Sequence, residues 1–131
     1  MRDLSVMRTL KSERGQDIVE LALVLPLLLV IAMAVLDFGR AFSTYLVLTN
    51  AAREGARQAS MGPYSTTVIT EAALNETRGS GLADGDVTVT IVPAAAGDPV
   101  RVSVQHNFVL IGGILPFNSV PLSTTVEMVA F

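Results

Sequence analysis

The chain has 131 residues, half of them hydrophobic, and a formal net charge of −3 at neutral pH. Cysteine is absent, which excludes disulfide bonds, thiolate metal sites, a cysteine nucleophile and a lipidated cysteine. The single histidine has no cluster of carboxylates around it in the sequence, so a metal site or a catalytic triad would lack its other members. We therefore expect no enzymatic activity, no cofactor, no metal and no small-molecule substrate.

Positive charge is concentrated at the amino terminus. The first 15 residues form a basic leader that holds Arg2, Arg8, Lys11 and Arg14. The remainder of the chain is acidic, which argues against nucleic acid as a partner.

An apolar segment long enough to cross a membrane follows the leader. Between Ile18 and Leu36 the only charged residue is Glu20, and about 20 apolar residues suffice for a helix to cross the hydrocarbon core. Because Lys and Arg precede the segment, we expect a single span with the amino terminus in the cytoplasm and the rest outside. A cleaved secretory signal ending at Ala32-Met33-Ala34 is the alternative, although the apolar run continues beyond it without a polar break.

Two residues are unusual within this segment. A carboxylate at the bilayer centre costs about 2.5 to 3.5 kcal/mol on insertion scales, so Glu20 either reaches the interface or meets a positive partner. Pro26 lacks an N–H and crowds the carbonyl of the preceding turn, which predicts a kink. That kink either helps the helix to pack in a bundle or is simply tolerated.

The same helix is predicted to continue beyond the bilayer as a stalk that ends at Gly62-Pro63. A row of residues at helical spacing has large side chains near the membrane and small ones farther out, and a second small row lies beside it. The residues assigned to stalk packing are Phe38, Phe42, Tyr45, Ala52, Gly55, Ala56 and Ala59. Their partner is either the chain's own sheet or the helix of a neighbouring subunit. Asp37 and Arg40, three residues apart, are interpreted as a pair at the outer edge of the bilayer.

Residues 63–131 are predicted to form a small α+β domain outside the membrane. A short helix covers Thr66 to Arg78, and three alternating runs that start at Val87, Val100 and Leu122 predict a three-stranded antiparallel sheet. The connection before the third strand is unusually apolar. Its residues Ile114, Leu115 and Phe117 either form a contact loop or fold back over the end of the sheet.

Several motifs occur in a specific order. They are the leader glycine Gly15, then Glu20, Pro26, the run Asp37-Phe-Gly-Arg40 and the run Asn50-Ala-Ala-Arg-Glu-Gly-Ala-Arg57. Together they resemble the TadE-like family, the minor pilins or pseudopilins of the tight-adherence (Flp) pilus system. The resemblance covers roughly residues 13 to 62, while the remaining residues match only in their pattern of strands.

The resemblance implies a pilin-like fold and a prepilin peptidase that cuts between Gly15 and Gln16. The freed amine of Gln16 would then be a positive partner for Glu20 of an adjacent subunit. Implied partners are the membrane, other pilin or pseudopilin subunits, the prepilin peptidase and the pilus assembly platform.

The fold class predicted is α+β, with a transmembrane and stalk helix over residues 16–62, a short second helix and a three-stranded antiparallel sheet. The function expected is that of a minor pilin. Its expected location is the cytoplasmic (inner) membrane, with incorporation into a surface pilus as a further location. The alternatives are an uncleaved membrane anchor that scaffolds a secretion or envelope complex, and a main filament subunit.

Overall fold

The computed structural model describes residues 4–62, 65–93, 95, 97–111 and 118–129, with side chains from residue 15 onward. The helices are α1 (Leu4–Ser60), α2 (Thr66–Arg78) and a short 3-10 helix (Asp84–Asp86). The strands are β1 (Val87–Val92), β2 (Pro99–Val109) and β3 (Ser119–Val129). The predicted α+β class, with its long first helix, short second helix and three strands, is confirmed.

The chain divides into two compact units. The first comprises Met1–Leu36 and the second Asp37–Phe131. In the first unit every side chain described, from residue 15 to residue 36, is exposed, although the residues are predominantly apolar. A helix that is apolar all round and has no protein against it is typical of a membrane span.

The second unit is built on an antiparallel sheet in the order β1-β2-β3. Val104 lies opposite Val89 on one side and opposite Thr124 on the other. The turn before β2 contains Gly97, whose φ of 92° lies in the left-handed region that glycine adopts without strain. The predicted alternation is confirmed, because the even-numbered residues of β2 and β3 turn to one face and the odd-numbered residues to the other.

One face of the sheet, which carries the even-numbered residues of β2 and β3 and the odd-numbered residues of β1, is covered by the stalk part of α1 and by α2. The hydrophobic core comprises Leu48, Ala51, Ala52, Ala56, Ala59, Ile69, Ala73, Val87, Val100, Val102 and Val104. Four of its members are alanines of α1, so the backbone of this helix can approach the sheet closely. Large hydrophobic side chains are few in this core, and close backbone packing replaces them.

Candidate functional site

The predicted processing site lies inside α1. Gly15 and Gln16 are both helical and exposed. Among the described residues, and apart from the adjacent helix backbone, no atom lies within 4 Å of the position that a Cβ on Gly15 would occupy. Glycine is the residue other than proline that most weakens a helix, by about 1 kcal/mol relative to alanine. The peptide bond between these residues is therefore accessible and lies next to a weak point of the helix.

Glu20 and Pro26 also lie in α1, and both are exposed. Glu20 is one helical turn beyond Gln16, which places the two residues about 6 Å apart along the axis. The helix assignment continues through Pro26, and the kink predicted there stays a prediction.

The apolar segment meets the requirements for a membrane span. Within the described part of the chain, α1 is the one helix long and apolar enough to cross a membrane, and the segment lies near the amino terminus. The structure therefore agrees with a membrane-anchored protein.

Asp37 and Arg40 form the first polar cluster after the apolar segment. Asp37 is buried, and its carboxylate accepts hydrogen bonds from the backbone N–H of Ile111, with the two oxygens at 3.2 and 3.1 Å from the nitrogen. Arg40 donates to the same carboxylate at 2.9 Å, and its guanidinium carbon lies 4.9 Å from the centre of the Phe108 ring. The cluster ties the start of the stalk to the end of β2.

The sequence predicted only the local half of this cluster. The spacing of three residues suggested the pair between Asp37 and Arg40, which the structure contains. Ile111 and Phe108 were missed as partners, because 74 residues separate Asp37 from Ile111 and no local pattern reports such a contact.

The residues assigned to stalk packing fall into two groups. Ala52, Ala56 and Ala59 are buried, and a Cβ on Gly55 would lie 3.1 Å from Cγ1 of Val102 and 3.4 Å from Cβ of Ala73. The small residues therefore pack against the chain's own sheet and second helix.

The three aromatic residues of the same row lie differently. Phe38, Phe42 and Tyr45 are 74%, 56% and 42% exposed. The side of α1 that faces the sheet starts one residue earlier and includes Asp37 and Leu48, which corresponds to a rotation of about 100°. The described part of the chain therefore leaves these three aromatic side chains largely uncovered.

Ion pairs on the surface hold the ends of the two helices. Arg57 pairs with Glu54, and this hydrogen bond lowers the pKa of Glu54 and raises that of Arg57. Arg78, at the end of α2, pairs with Asp84 of the 3-10 helix and lies 3.1 Å from Glu71. The hydrogen bond from Arg78 lowers the pKa of Asp84, and its two carboxylate partners raise the pKa of Arg78.

Two other features of the sequence are the single histidine and the apolar connection before β3. His106 Nδ1 lies 2.9 Å from the backbone carbonyl oxygen of Asp86, next to the start of β1. The described residues contain no group of three or more His, Cys, Asp or Glu residues that could hold a metal ion. Ile114, Leu115 and Phe117, the predicted contact loop, lie outside the described residues.

Comparison with known proteins gives one family. Residues 15–57 match the family model described as TadE-like protein. No curated protein and no solved structure matches the chain. The matched segment starts at Gly15 and contains the apolar span, the Asp37–Arg40 pair and most of the stalk that packs on the sheet. The resemblance inferred from the motifs is thereby confirmed: over residues 15–57 the chain carries the sequence pattern of the TadE-like family.

Proposed function

We propose that this protein is a minor pilin or pseudopilin of the tight-adherence pilus. The apolar part of α1 holds it in the cytoplasmic membrane, with the leader inside and the second unit outside. The observation that carries the proposal is the coincidence of the family match with an exposed helix that holds Gly15, Glu20 and a membrane-length apolar segment.

The first step is removal of the leader by a prepilin peptidase. Hydrolysis of the peptide bond after Gly15 leaves a carboxylate on Gly15 and a free amine on Gln16, and it removes four positive side chains from the anchor. The accessibility of both residues in α1 supports this step.

The second step is pairing between subunits. An α-amine has an ordinary pKa near 8, so the Gln16 amine is largely protonated at neutral pH. Glu20 lies one turn along the same helix, and a neighbour displaced along the helix axis by about 6 Å brings its amine level with this carboxylate. Such pairing offsets the cost of holding a carboxylate at the edge of the apolar zone.

The third step is lateral contact along the stalk. Phe42 and Tyr45 are exposed on the side of α1 that the sheet leaves uncovered, and aromatic side chains are enriched where proteins associate. In this proposal they contact the helices of other pilin or pseudopilin subunits. The assembly platform in the membrane is the remaining partner.

The test is processing and assembly in cells that produce the pilus. The full chain is expressed with its prepilin peptidase, and mass spectrometry of the membrane-extracted protein is expected to show loss of residues 1–15. Gly15→Leu should retain the leader, because a bulky side chain replaces the glycine next to the cut. An intact leader on the wild-type chain would contradict the proposal and favour an uncleaved anchor.

Assembly is tested with a matched pair of acidic residues. Glu20→Ala is expected to be processed normally but to reduce the amount of sheared surface filament, measured by immunoblotting and electron microscopy. Asp17→Ala removes another exposed carboxylate, three residues earlier, and should leave filament amounts unchanged. Equal filament amounts in the wild type and Glu20→Ala would contradict the proposed pairing of Glu20 with a neighbouring subunit's amine. Purified filaments with this chain as their principal band would show a main subunit instead.

A further inference from the structure

We propose that the second unit rests on the membrane through the end of its sheet that lies beside Asp37. Phe38, Val109 and Ile111 are the side chains that enter the interfacial layer of the bilayer. The inference rests on the membrane span of the proposed function, and it assigns the lipid surface as the occupant of an apolar patch.

The first step locates the end of β2 along the stalk. Gly55 lies beside Val102, Arg40 lies over Phe108, and Asp37 binds the N–H of Ile111. The strand therefore runs antiparallel to α1. Residues 37–55 advance about 27 Å along a helix, and residues 102–111 advance about 30 Å along a strand. The two lengths agree, so Ile111 lies level with Asp37.

The second step compares the position of Asp37 with that of the bilayer surface. Asp37 directly follows the apolar segment in the chain, and the headgroup layer on each side of the hydrocarbon core is about 5 to 7 Å thick. Residues 37–40 advance about 4.5 Å, so they occupy that layer. Ile111, whose N–H binds the Asp37 carboxylate, lies at the level of these residues.

The third step is the chemistry of the sheet's outer face. The odd-numbered residues of β2 turn away from the helices, and the first four side chains beyond Pro99 are polar. They are Arg101, Ser103, Gln105 and Asn107. The row then ends on Val109, which is 61% exposed. Ile111, two residues beyond the end of β2, is 63% exposed. The last outward residue of β2 and the exposed residue two positions beyond it are thus both apolar at the level of Asp37.

The fourth step concerns which charged and apolar side chains at the level of Asp37 are buried and which are exposed. The Asp37 carboxylate is covered, bonded to the backbone of Ile111 and paired with Arg40. Phe38, the next residue, is exposed, and aromatic side chains favour the membrane interface. The charge is turned inward and the apolar side chains outward, as contact with a lipid surface requires.

The test uses the absence of cysteine from the natural chain. Single-cysteine variants of the full chain, Val109→Cys and Ile111→Cys, are labelled with the environment-sensitive dye NBD and reconstituted in vesicles of phosphatidylcholine and phosphatidylglycerol. Val92→Cys is the matched control, because Val92 is an exposed valine of the outer face that pairs with Arg101 near the opposite end of β2. Leu28→Cys reports on the span itself.

Lipids that carry a nitroxide on the headgroup should remove most of the NBD emission from positions 109 and 111 but little from position 92. Aqueous iodide should show the reverse order. Positions 109 and 111 behaving like position 92 would overturn the inference, and so would shielding of both from lipid nitroxide and iodide together, which indicates a protein partner. If a nitroxide deep in the acyl chains fails to quench position 28, the membrane span of the proposed function fails instead.

Discussion

Asp37 is a carboxylate that the fold covers, one residue beyond an apolar segment. Covering a charge is costly unless it is paired and hydrogen-bonded. Here Arg40 supplies the opposite charge and the backbone of Ile111 supplies an N–H. Asp37 thereby provides a hydrogen-bond acceptor for the backbone just beyond β2 and holds this end of the strand beside the stalk.

Gly55 has a comparable importance at the level of packing. It lies at the centre of the helix face that meets β2 and α2, where the nearest atoms belong to Val102, Ala73 and the backbone of Ile69. A glycine inside a helix costs about 1 kcal/mol relative to alanine. The close approach of three elements explains why the cost is accepted here.

We predict that Gly55→Leu loosens the second unit. A leucine has no room at this position, and overpacking typically costs about 1 to 3 kcal/mol. Hydrogen exchange of the β2 amides, measured by mass spectrometry on the full chain in detergent micelles, should become about tenfold faster for each 1.4 kcal/mol lost.

The control for this prediction is another glycine of the same helix. Among the described residues outside the adjacent helix backbone, a Cβ on Gly39 meets no atom within 4 Å, so Gly39→Leu should leave the exchange of β2 unchanged or slow it. Equal exchange in Gly55→Leu and the wild type would show that α1 does not pack as closely as described.

At the scale of elements, the outer face of the sheet and the covered face differ in what stabilises them. The covered face is stabilised by contacts of its valine side chains with small apolar side chains of α1 and α2. The outer face carries cross-strand polar pairs, among them Arg101 with Glu127 and Ser103 with Thr125, whose oxygens are 2.7 Å apart. Such pairs each contribute about 0.2 to 1 kcal/mol, so they support the pairing of β2 with β3 without requiring burial.

The connection between α2 and β1 is held by charge. Arg78 at the end of α2 binds Asp84 in the 3-10 helix, and the N–H of Leu82 donates to the carbonyl of Thr77 at 3.2 Å. The bond to Arg78 favours the ionised form of Asp84. The carboxyl pKa is consequently lowered in the folded chain.

We predict that this connection weakens at acidic pH. Because the folded pKa of Asp84 is lowered, the pair stabilises the fold fully above the ordinary aspartate pKa of about 3.9. That contribution is lost as the pH falls through the lowered value. In NMR titrations of the full chain, the Asp84 carboxyl carbon should show a midpoint below about 3.9.

Arg78→Gln should move that midpoint upward, towards the ordinary value. Arg53→Gln removes another exposed arginine, on α1, and should leave the Asp84 midpoint in place. A wild-type midpoint at or above the ordinary value would contradict the role of Arg78.

For the molecule as a whole, the distribution of charge predicts the direction in which the chain inserts in a membrane. Before the apolar segment the chain carries four Lys or Arg residues, and Arg40 is the first to follow it. Positive residues near a span tend to stay in the cytoplasm. The second unit is therefore expected outside.

We predict that a membrane-impermeant maleimide labels Thr90→Cys, on the exposed sheet face, but not Ser12→Cys in intact spheroplasts. Detergent should make position 12 reactive wherever the leader is retained. Replacing Arg8, Lys11 and Arg14 with glutamate should reduce the labelling of position 90, because the charge bias is reversed. Labelling of position 12 without detergent would rule out this orientation.

Much of the fold could be predicted from local patterns. The apolar segment, the two helices and the three alternating strands each follow from residues close together in the sequence, because helical and strand periods are local properties. The predicted stalk ended at Gly62-Pro63, close to the observed end of α1 at Ser60. The ordered motifs from Gly15 to Arg57 were enough to suggest the TadE-like family.

Two features depend on contacts between distant parts of the chain. They are the side of the stalk that is covered and the hydrogen bonds that Asp37 accepts just beyond the apolar segment. Both sides of this part of α1 carry apolar residues, so periodicity could not separate Leu48 and Gly55, which meet the sheet, from Phe42 and Tyr45, which do not. Nor could spacing show that Asp37 binds Ile111, because that contact exists only once β2 lies antiparallel to α1. Local periods of hydrophobicity thus specify the helices, the strands and the apolar segment, whereas the faces that pack depend on contacts between residues far apart in the chain.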